Sequence, residues 1–142
     1  MPYEYNAHGI RFEYPENWTF EEKSTDESDT VMLLAPGGAF WMLSAFSAVH
    51  PPFEVMDDVA RSLANEYDSL ERFDARQEFE GVPTNGYDFD FIYLDLVNTA
   101  KTRGFTYDKK TYILFYQAED RDFRALEPVF DAMTISFLRN LE

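Results

Sequence analysis

The segment AFWMLSAFSAV (residues 39–49) is apolar on both faces when extended, and it limits the available folds more than any other part of the chain. Side chains alternate along a strand, so one face carries Phe40, Met42 and Phe46 and the other carries Trp41, Leu43 and Ala45. A strand with two apolar faces lies inside a sheet that is covered on both sides. The segment TYILFYQ (111–117) shows the same double apolar character.

Other segments with strand-like alternation surround these two. GYDFDFIYLDL (86–96) is predicted to be a central strand, and the polar stretch EEKSTDESD (21–29) is predicted to be a loop. A turn at Asp108-Lys109 predicts a hairpin between the segments on its two sides. The remaining predicted strands lie in IRFEYPENWTFEE (10–22, two strands around a turn at 15–17), TVMLLA (30–35), RFDARQEFEG (72–81), NTAKTRGFTYD (98–108) and KTYILFYQAE (110–119).

Two segments change to helical spacing. The first, after Pro51-Pro52, has an apolar stripe at every third or fourth position and predicts a helix over 53–70. In the second, Pro128 predicts a short turn at 122–127 followed by a helix that begins near the proline. The order strands, helix, strands, helix predicts a single α+β domain over 1–142, with an antiparallel sheet of six or seven strands flanked by two main helices.

The composition excludes several classes of function. The chain has no cysteine, so disulfides, thiol catalysis and cysteine metal sites are absent. The net charge of −15 makes nucleic acid a poor partner and would attract a basic polypeptide. No apolar run approaches the roughly 18 residues of a membrane span. No secretory signal is visible at the start, which predicts a cytoplasmic protein.

No residue constellation indicates a reaction, a metal or a cofactor. Asp88 and Asp90 share one strand face, and we interpret them as solvated residues at the start of a strand. His8 and His50 are the only histidines, so neither a metal site nor a nucleophile–histidine–acid triad is predicted. The segment STDESD (24–29) lacks the order of a calcium loop. One basic cluster lies on the predicted hairpin around Asp108-Lys109: Lys101, Arg103, Lys109 and Lys110.

The aromatic strands leave two alternatives open. If the helices cover both sheet faces, the aromatic residues are core. If both helices lie on one face, the other face is free for a dimer partner or an apolar ligand, because a large exposed apolar patch marks such a site. On the second alternative, the candidate partner-binding residues are Trp41, Phe89, Phe91, Tyr93, Tyr112 and Tyr116.

The chain resembles the PsbP/Mog-like fold, which a photosystem oxygen-evolving subunit shares with a Ran-binding import factor. GIRFEYPENW (9–18) is similar to the Phe-x-x-Pro-x-x-Trp opening of that fold, and RGFTYDKKTYILFYQAEDRDFRALEPVFDAMTISF (103–137) is similar to its closing hairpin and helix. The resemblance implies an α/β/α sandwich and a protein that acts by binding, as photosystem assembly factors and chaperones for apolar helices of secreted effectors do. It brings no shared catalytic residue.

The predicted function is therefore a non-catalytic adaptor or chaperone-like module that binds a basic or apolar polypeptide through an aromatic sheet face. Two alternatives stay open. One is a small hydrolase-type enzyme that uses Asp88, Asp90 and His50, whose groups would line one pocket and show a shifted pKa. The other is a structural homodimer, in which the apolar face serves as the subunit interface alone.

Overall fold

The structure, a computed structural model, describes residues 2–47 and 50–141. The elements are β1 (Tyr3–Ala7), β2 (Ile10–Tyr14), β3 (Thr19–Ser24), β4 (Ser28–Leu34), β5 (Phe40–Phe46), α1 (Pro52–Glu66), β6 (Glu71–Phe79), β7 (Val82–Tyr93), β8 (Leu96–Tyr107), β9 (Lys110–Glu119) and α2 (Asp120–Arg139). Within the described residues, seven strands form one antiparallel sheet in the order β3-β4-β5-β9-β8-β7-β6, and β1 and β2 form a separate hairpin. The predicted α+β class with an antiparallel sheet and two helices is confirmed.

Four hairpins of this fold close through two-residue turns with both central residues at positive φ. This conformation matches the right-handed twist of paired strands, and it normally selects Asn-Gly or similar pairs. The four turns are His8-Gly9, Glu80-Gly81, Leu94-Asp95 and Asp108-Lys109. The predicted hairpin at Asp108-Lys109 is confirmed, whereas the segment 86–96 is a strand that ends at Tyr93 and turns into the next one.

One face of the sheet, here called the α2 face, is covered by α2 and by the β1–β2 hairpin. The Trp41 ring lies 4.9 Å from the Phe12 ring, and its indole Nε1 donates a hydrogen bond to Thr134 Oγ1 at 3.1 Å. Tyr112 packs edge-on against Phe137 with ring centres 5.3 Å apart. The larger of the two hydrophobic cores is therefore on this side of β4, β5 and β9.

The opposite face, here called the α1 face, carries α1 over β7, β8 and β9. Gly104 on β8 allows this close approach, because a Cβ there would lie 2.9 Å from Cβ of Pro52 in the first turn of α1. The Tyr87 hydroxyl on β7 donates to Asp57 of α1 at 2.5 Å. These contacts fix the helix over one half of the sheet.

Three predicted boundaries were wrong. Residues 21–29 are not a loop, because β3 and β4 pair through Lys23↔Thr30 and Ser24↔Asp29. The first helix ends at Glu66 rather than 70. The second helix is continuous over 120–139 with Pro128 inside it, because Phe123 and Phe130 both pack on Tyr116 and hold the two sides of the proline in one helix. Residues 48 and 49 of the predicted strand 39–49 lie outside the described residues.

Candidate functional site

The α1 face is only half covered. Buried side chains of α1 pack on the core of β7, β8 and β9, through Met56, Ala60 and Leu63. Over β3 and β4 on this face, no helix lies on the sheet in the part of the chain that the structure describes, and β5 places Phe40, Met42 and Phe46 at the edge of the core under α1. Of the two alternatives that the sequence left open, the structure has one helix on each face of the sheet, so the alternative with both helices on one face is wrong, and the lateral half of the α1 face has no helix over it within the described residues.

Burial along β4 and β5 alternates although both faces of these strands are apolar. The side chains that point to the α2 face are fully buried: Val31, Leu33, Trp41 and Leu43. The side chains that point to the α1 face are partly exposed, and they define the open face: Met32, Leu34, Phe40, Met42 and Phe46. Because the chemistry of the two sets is similar, the difference comes from the missing cover and not from the sequence.

Strand register brings four of these residues together as one patch, and the hydrogen-bonded Thr30–Ser44 pair separates them from Phe46. Met32 is the cross-strand partner of Met42, and Leu34 is the partner of Phe40. The Phe40 ring packs edge-on against Phe115 of β9, with ring centres 5.6 Å apart, which joins the patch to the core under α1. Unbranched methionines adapt their shape to irregular apolar partners, so two facing methionines suit a binding surface.

The uncovered strip has the width of one helix. Neighbouring strands lie about 4.8 Å apart, so β3, β4 and β5 span roughly 10 Å from the first strand to the third. An α-helix with its side chains is about 10 Å in diameter. On the inner side the strip borders α1, where Val55 and Val59 are partly exposed. The geometry is that of a shallow groove with one helical wall.

The six aromatic residues predicted to bind a partner do not form one surface. Trp41, Tyr112 and Tyr116 are buried on the α2 face, while Phe89 and Phe91 are buried under α1. Tyr93 lies at the end of β7 and is 51% exposed. Any partner contact of this set stays a prediction, and only Tyr93 offers an accessible side chain for it.

The residues of the open face were not among those predicted. The sequence does place Phe40, Met42 and Phe46 on one side of a strand, and that alternation is the available signal. It cannot identify which side is left open, because that depends on where α1 lies across the sheet.

Asp88 and Asp90 have structural partners. Asp88 Oδ1 lies 2.7 Å from Arg103 Nη2, and Asp90 Oδ1 accepts a hydrogen bond from the Thr99 hydroxyl at 3.2 Å. Asp88 is 36% exposed, whereas Arg103 is buried among the strands of the α2 face. The predicted solvated strand start is therefore partly wrong for Asp88, whose carboxylate is engaged by a buried arginine.

The structure does not bring the alternative catalytic set together. His50 lies at the other end of the fold, with its backbone N–H bonded to Thr111 Oγ1 at 3.0 Å and its ring 5.2 Å from Phe46. Phe46 points to the α1 face, while Asp88 and its arginine lie on the α2 face. Within residues 2–47 and 50–141, no group of three histidine or acidic side chains could hold a metal ion.

The predicted basic cluster separates into two parts. Lys101 is paired with Glu127 of α2 at 2.8 Å, and Arg103 is buried beside Asp88. Lys109 and Lys110 lie at the β8–β9 turn, where both are exposed. The first two cations of this cluster therefore stabilise the fold, and the other two, Lys109 and Lys110, are exposed to solvent.

A half-buried carboxylate lies beside Lys101 and Arg103. Asp131 Oδ1 on α2 is buried and forms no hydrogen bond within the described residues. Burial first, and then the nearby Glu127 carboxylate, raises the pKa of Asp131 above its ordinary value of 3.8. Burial likewise raises the pKa of the Tyr116 hydroxyl, which also lacks a hydrogen-bond partner among these residues.

We expect Asp131→Asn to stabilise the protein at neutral pH. Because the pKa of Asp131 is raised in the folded state, the folded protein favours the protonated carboxyl. The stability that this protonation contributes is fully present below the ordinary pKa of 3.8 and is lost as the pH rises through the raised pKa. Asparagine cannot ionise, so the variant should melt above the wild type at about pH 7 and approach it at about pH 4. Thermal unfolding at both pH values checks this, and a gain that is larger in acid would contradict it.

Comparison with solved structures agrees with this architecture. Cyanobacterial PsbP (CyanoP) from Synechocystis sp. PCC 6803 is similar with a TM-score of 0.60 and 11% identity, covering 96% of this chain and 89% of that one. LpqN, involved in cell envelope biogenesis of Mycobacterium tuberculosis, has a TM-score of 0.50 and 13% identity, covering 94% of this chain and 86% of that one. No family model and no curated protein matches the sequence.

The chain is thus an α+β protein with the PsbP-like fold, as the resemblance in its sequence predicts. At sequence identities of 11% and 13%, the similarity to these two structures shows the fold alone. Among residues 2–47 and 50–141, neither helix is long and apolar enough to cross a membrane.

Proposed function

We propose that this protein is a non-catalytic binding module that holds an amphipathic helix of another polypeptide on its open face. The single observation that carries the proposal is the contrast along β4 and β5. The apolar side chains of these strands that point to the α2 face are fully buried, whereas those that point to the α1 face stay partly exposed, although Phe40, Met42 and Phe46 touch the core under α1. A partly solvated apolar sheet face is unfavourable unless a partner removes it from water.

A helix is the partner element that suits this face best. The strip has the width of one helix, and it runs beside α1, which would supply the neighbouring helix of a two-helix layer. Recognition of an apolar helix face by an apolar groove is a common mode of peptide binding. The net charge of −15 favours a helix whose polar face is cationic. The cytoplasmic location stays a prediction.

The test uses a fluorescein-labelled 18-residue peptide of leucine and lysine with all leucines on one helical face. We expect it to bind the wild type, and we expect Met32→Ser/Met42→Ser to weaken binding at least about tenfold, since both substitutions remove apolar contact at the centre of the groove. Fluorescence anisotropy measures the dissociation constants. A peptide of the same composition in scrambled order should bind weakly.

Two controls keep the result specific. Tyr107→Ser changes an exposed aromatic residue away from the open face, and it should leave binding unchanged. Light scattering tests the alternative of a structural homodimer. The proposal would be contradicted if the wild type were a dimer, the Met32→Ser/Met42→Ser variant were a folded monomer, and both bound the peptide equally well. Equal binding of the helical and scrambled peptides would contradict it as well.

A further inference from the structure

The β7–β8 hairpin extends past both neighbouring strands. Pairing of β6 with β7 ends at Glu71↔Asp90, and pairing of β9 with β8 ends at Asn98↔Glu119. Residues 91–97 therefore form a two-stranded projection, here called the hairpin tip. Its strands pair only with each other, through Ile92↔Val97 and Tyr93↔Leu96.

The hairpin tip is apolar on both faces and exposed. Five of its side chains are between 44% and 76% exposed: Ile92, Tyr93, Leu94, Leu96 and Val97. No similar run of consecutive exposed apolar residues occurs elsewhere in residues 2–47 and 50–141. A monomeric protein gains nothing in solubility or stability from such a cluster, so it indicates a contact surface.

Leu94 is the most exposed large apolar residue of the hairpin tip and lies in its turn. It occupies the first turn position with φ of 51° and is 76% exposed, the highest value among the exposed large apolar residues. Left-handed backbone at this position favours glycine, asparagine or aspartate, and a leucine is unfavourable there. Since its side chain is largely exposed, burial in the fold offers little compensation for the unfavourable backbone. Because Glu80 and Asp108 also hold positive φ at the first position of their turns, the exposure of Leu94, and not its backbone, is what supports a contact surface here.

The tip is held in a defined orientation by an aromatic support. Tyr67, just after α1, stacks on Phe91 with ring centres 4.3 Å apart and meets Tyr93 edge-on at 5.7 Å. This support fixes the base of the hairpin and one of its exposed rings. A pre-organised apolar surface loses less conformational entropy on binding than a mobile one.

The surroundings of the tip are strongly acidic. Thr99 Oγ1 lies within hydrogen-bond distance of two carboxylates at once, 3.2 Å from Asp90 and 3.3 Å from Asp120. Of the basic side chains nearby, Arg121 is already paired with Glu119 at 3.1 Å, Arg72 lies further down β6 over the Tyr87 ring, and Arg124 lies one turn into α2. The acidic residues on the elements around the tip are Glu66, Asp68, Glu71, Asp90, Asp95, Glu119 and Asp120.

We propose that the hairpin tip binds a cationic polypeptide segment in which basic side chains alternate with apolar ones. The apolar side chains of the segment would cover Tyr93, Leu94 and their neighbours, and its basic groups would meet the acidic rim. The same rim repels an anionic lipid surface and a second copy of this chain, which is itself acidic. The site is separate from the open face, and it does not depend on the function proposed for that face.

The probe is the labelled heptapeptide Lys-Leu-Lys-Trp-Lys-Leu-Lys, which is too short to form a stable helix in water. We expect the wild-type chain to bind it and Tyr93→Ser/Leu94→Ser to bind it at least about tenfold more weakly. Asp95→Asn should weaken binding several-fold. Its matched control is Asp108→Asn, because both residues occupy two-residue hairpin turns at positive φ where asparagine fits, and residue 108 lies at another turn.

Each further measurement supports or overturns the proposal. Binding should fall as sodium chloride is raised, and the heptapeptide Glu-Leu-Glu-Trp-Glu-Leu-Glu should not bind. Met32→Ser/Met42→Ser should leave heptapeptide binding intact, which separates this site from the open face. Absence of heptapeptide binding, equal effects of Asp95→Asn and Asp108→Asn, or binding of the chain to phosphatidylglycerol vesicles through Leu94 would overturn it.

Discussion

Gly86→Ala is expected to destabilise the folded state strongly. A Cβ at position 86 would lie 1.8 Å from the backbone oxygen of Thr102 and 2.7 Å from its carbonyl carbon. Residue 86 is paired on both sides, with Ala75 of β6 and Arg103 of β8, so neither neighbouring strand can move without loss of ladder hydrogen bonds. We expect the free energy of unfolding to fall by about 3 kcal/mol or more, a large part of the stability of a typical domain.

The measurement is urea unfolding followed by the fluorescence of the two buried tryptophans, Trp18 and Trp41. The matched control is Gly37→Ala, where a Cβ has no atom within 4 Å and the penalty comes from the φ of 95° alone. That change should decrease stability by about 1 kcal/mol. Similar midpoints for the two variants would show that β7 and β8 can separate at this position, contrary to the expected clash.

The fold class could be predicted because the spacing of apolar residues along the sequence differs between the strands and the helices. Alternation in 39–46 and 111–117 identifies inner strands, and the return to a helical period identifies both helices. The loop predicted at 21–29 was wrong for a physical reason. β3 is an edge strand whose side chains, such as Glu21 and Lys23, are all exposed, so no apolar alternation marks it.

The candidate surfaces could not be predicted to the same extent. The open face depends on the lateral position of α1, which Gly104 and the Tyr87–Asp57 hydrogen bond determine through contacts distant in sequence. The hairpin tip was hidden because the first turn position holds an apolar leucine and no glycine follows it, so the strand pattern continues through Leu94-Asp95. In both cases the sequence identifies the apolar residues and tertiary structure decides which of them meet solvent.

Arg103→Met should decrease the free energy of unfolding by about 3 kcal/mol. Methionine has a similar volume to arginine, but it lacks the guanidinium that several groups of the fold contact. Arg103 is 2% exposed. Its guanidinium donates to Gln77 Oε1 at 3.0 Å and to two backbone carbonyls, those of Tyr87 and Thr102, at 3.2 and 3.0 Å. Without it, the Asp88 carboxylate, 2.7 Å away, loses its counter-charge and the carbonyls lose their donor.

A double-mutant cycle tests whether the unpaired groups cause this loss. Removing one member of an ion pair leaves the other without its counter-charge, and here water moderates the cost because the Asp88 side chain is 36% exposed although Arg103 is buried. We therefore expect Arg103→Met/Asp88→Leu to recover part of the stability that Arg103→Met alone loses. Arg139→Met breaks an exposed pair with Glu80, in which the arginine is 72% exposed, and should change stability by less than about 1 kcal/mol. Equal losses for the single and double variants would mean that lost packing, and not the unpaired carboxylate, accounts for the effect of removing Arg103.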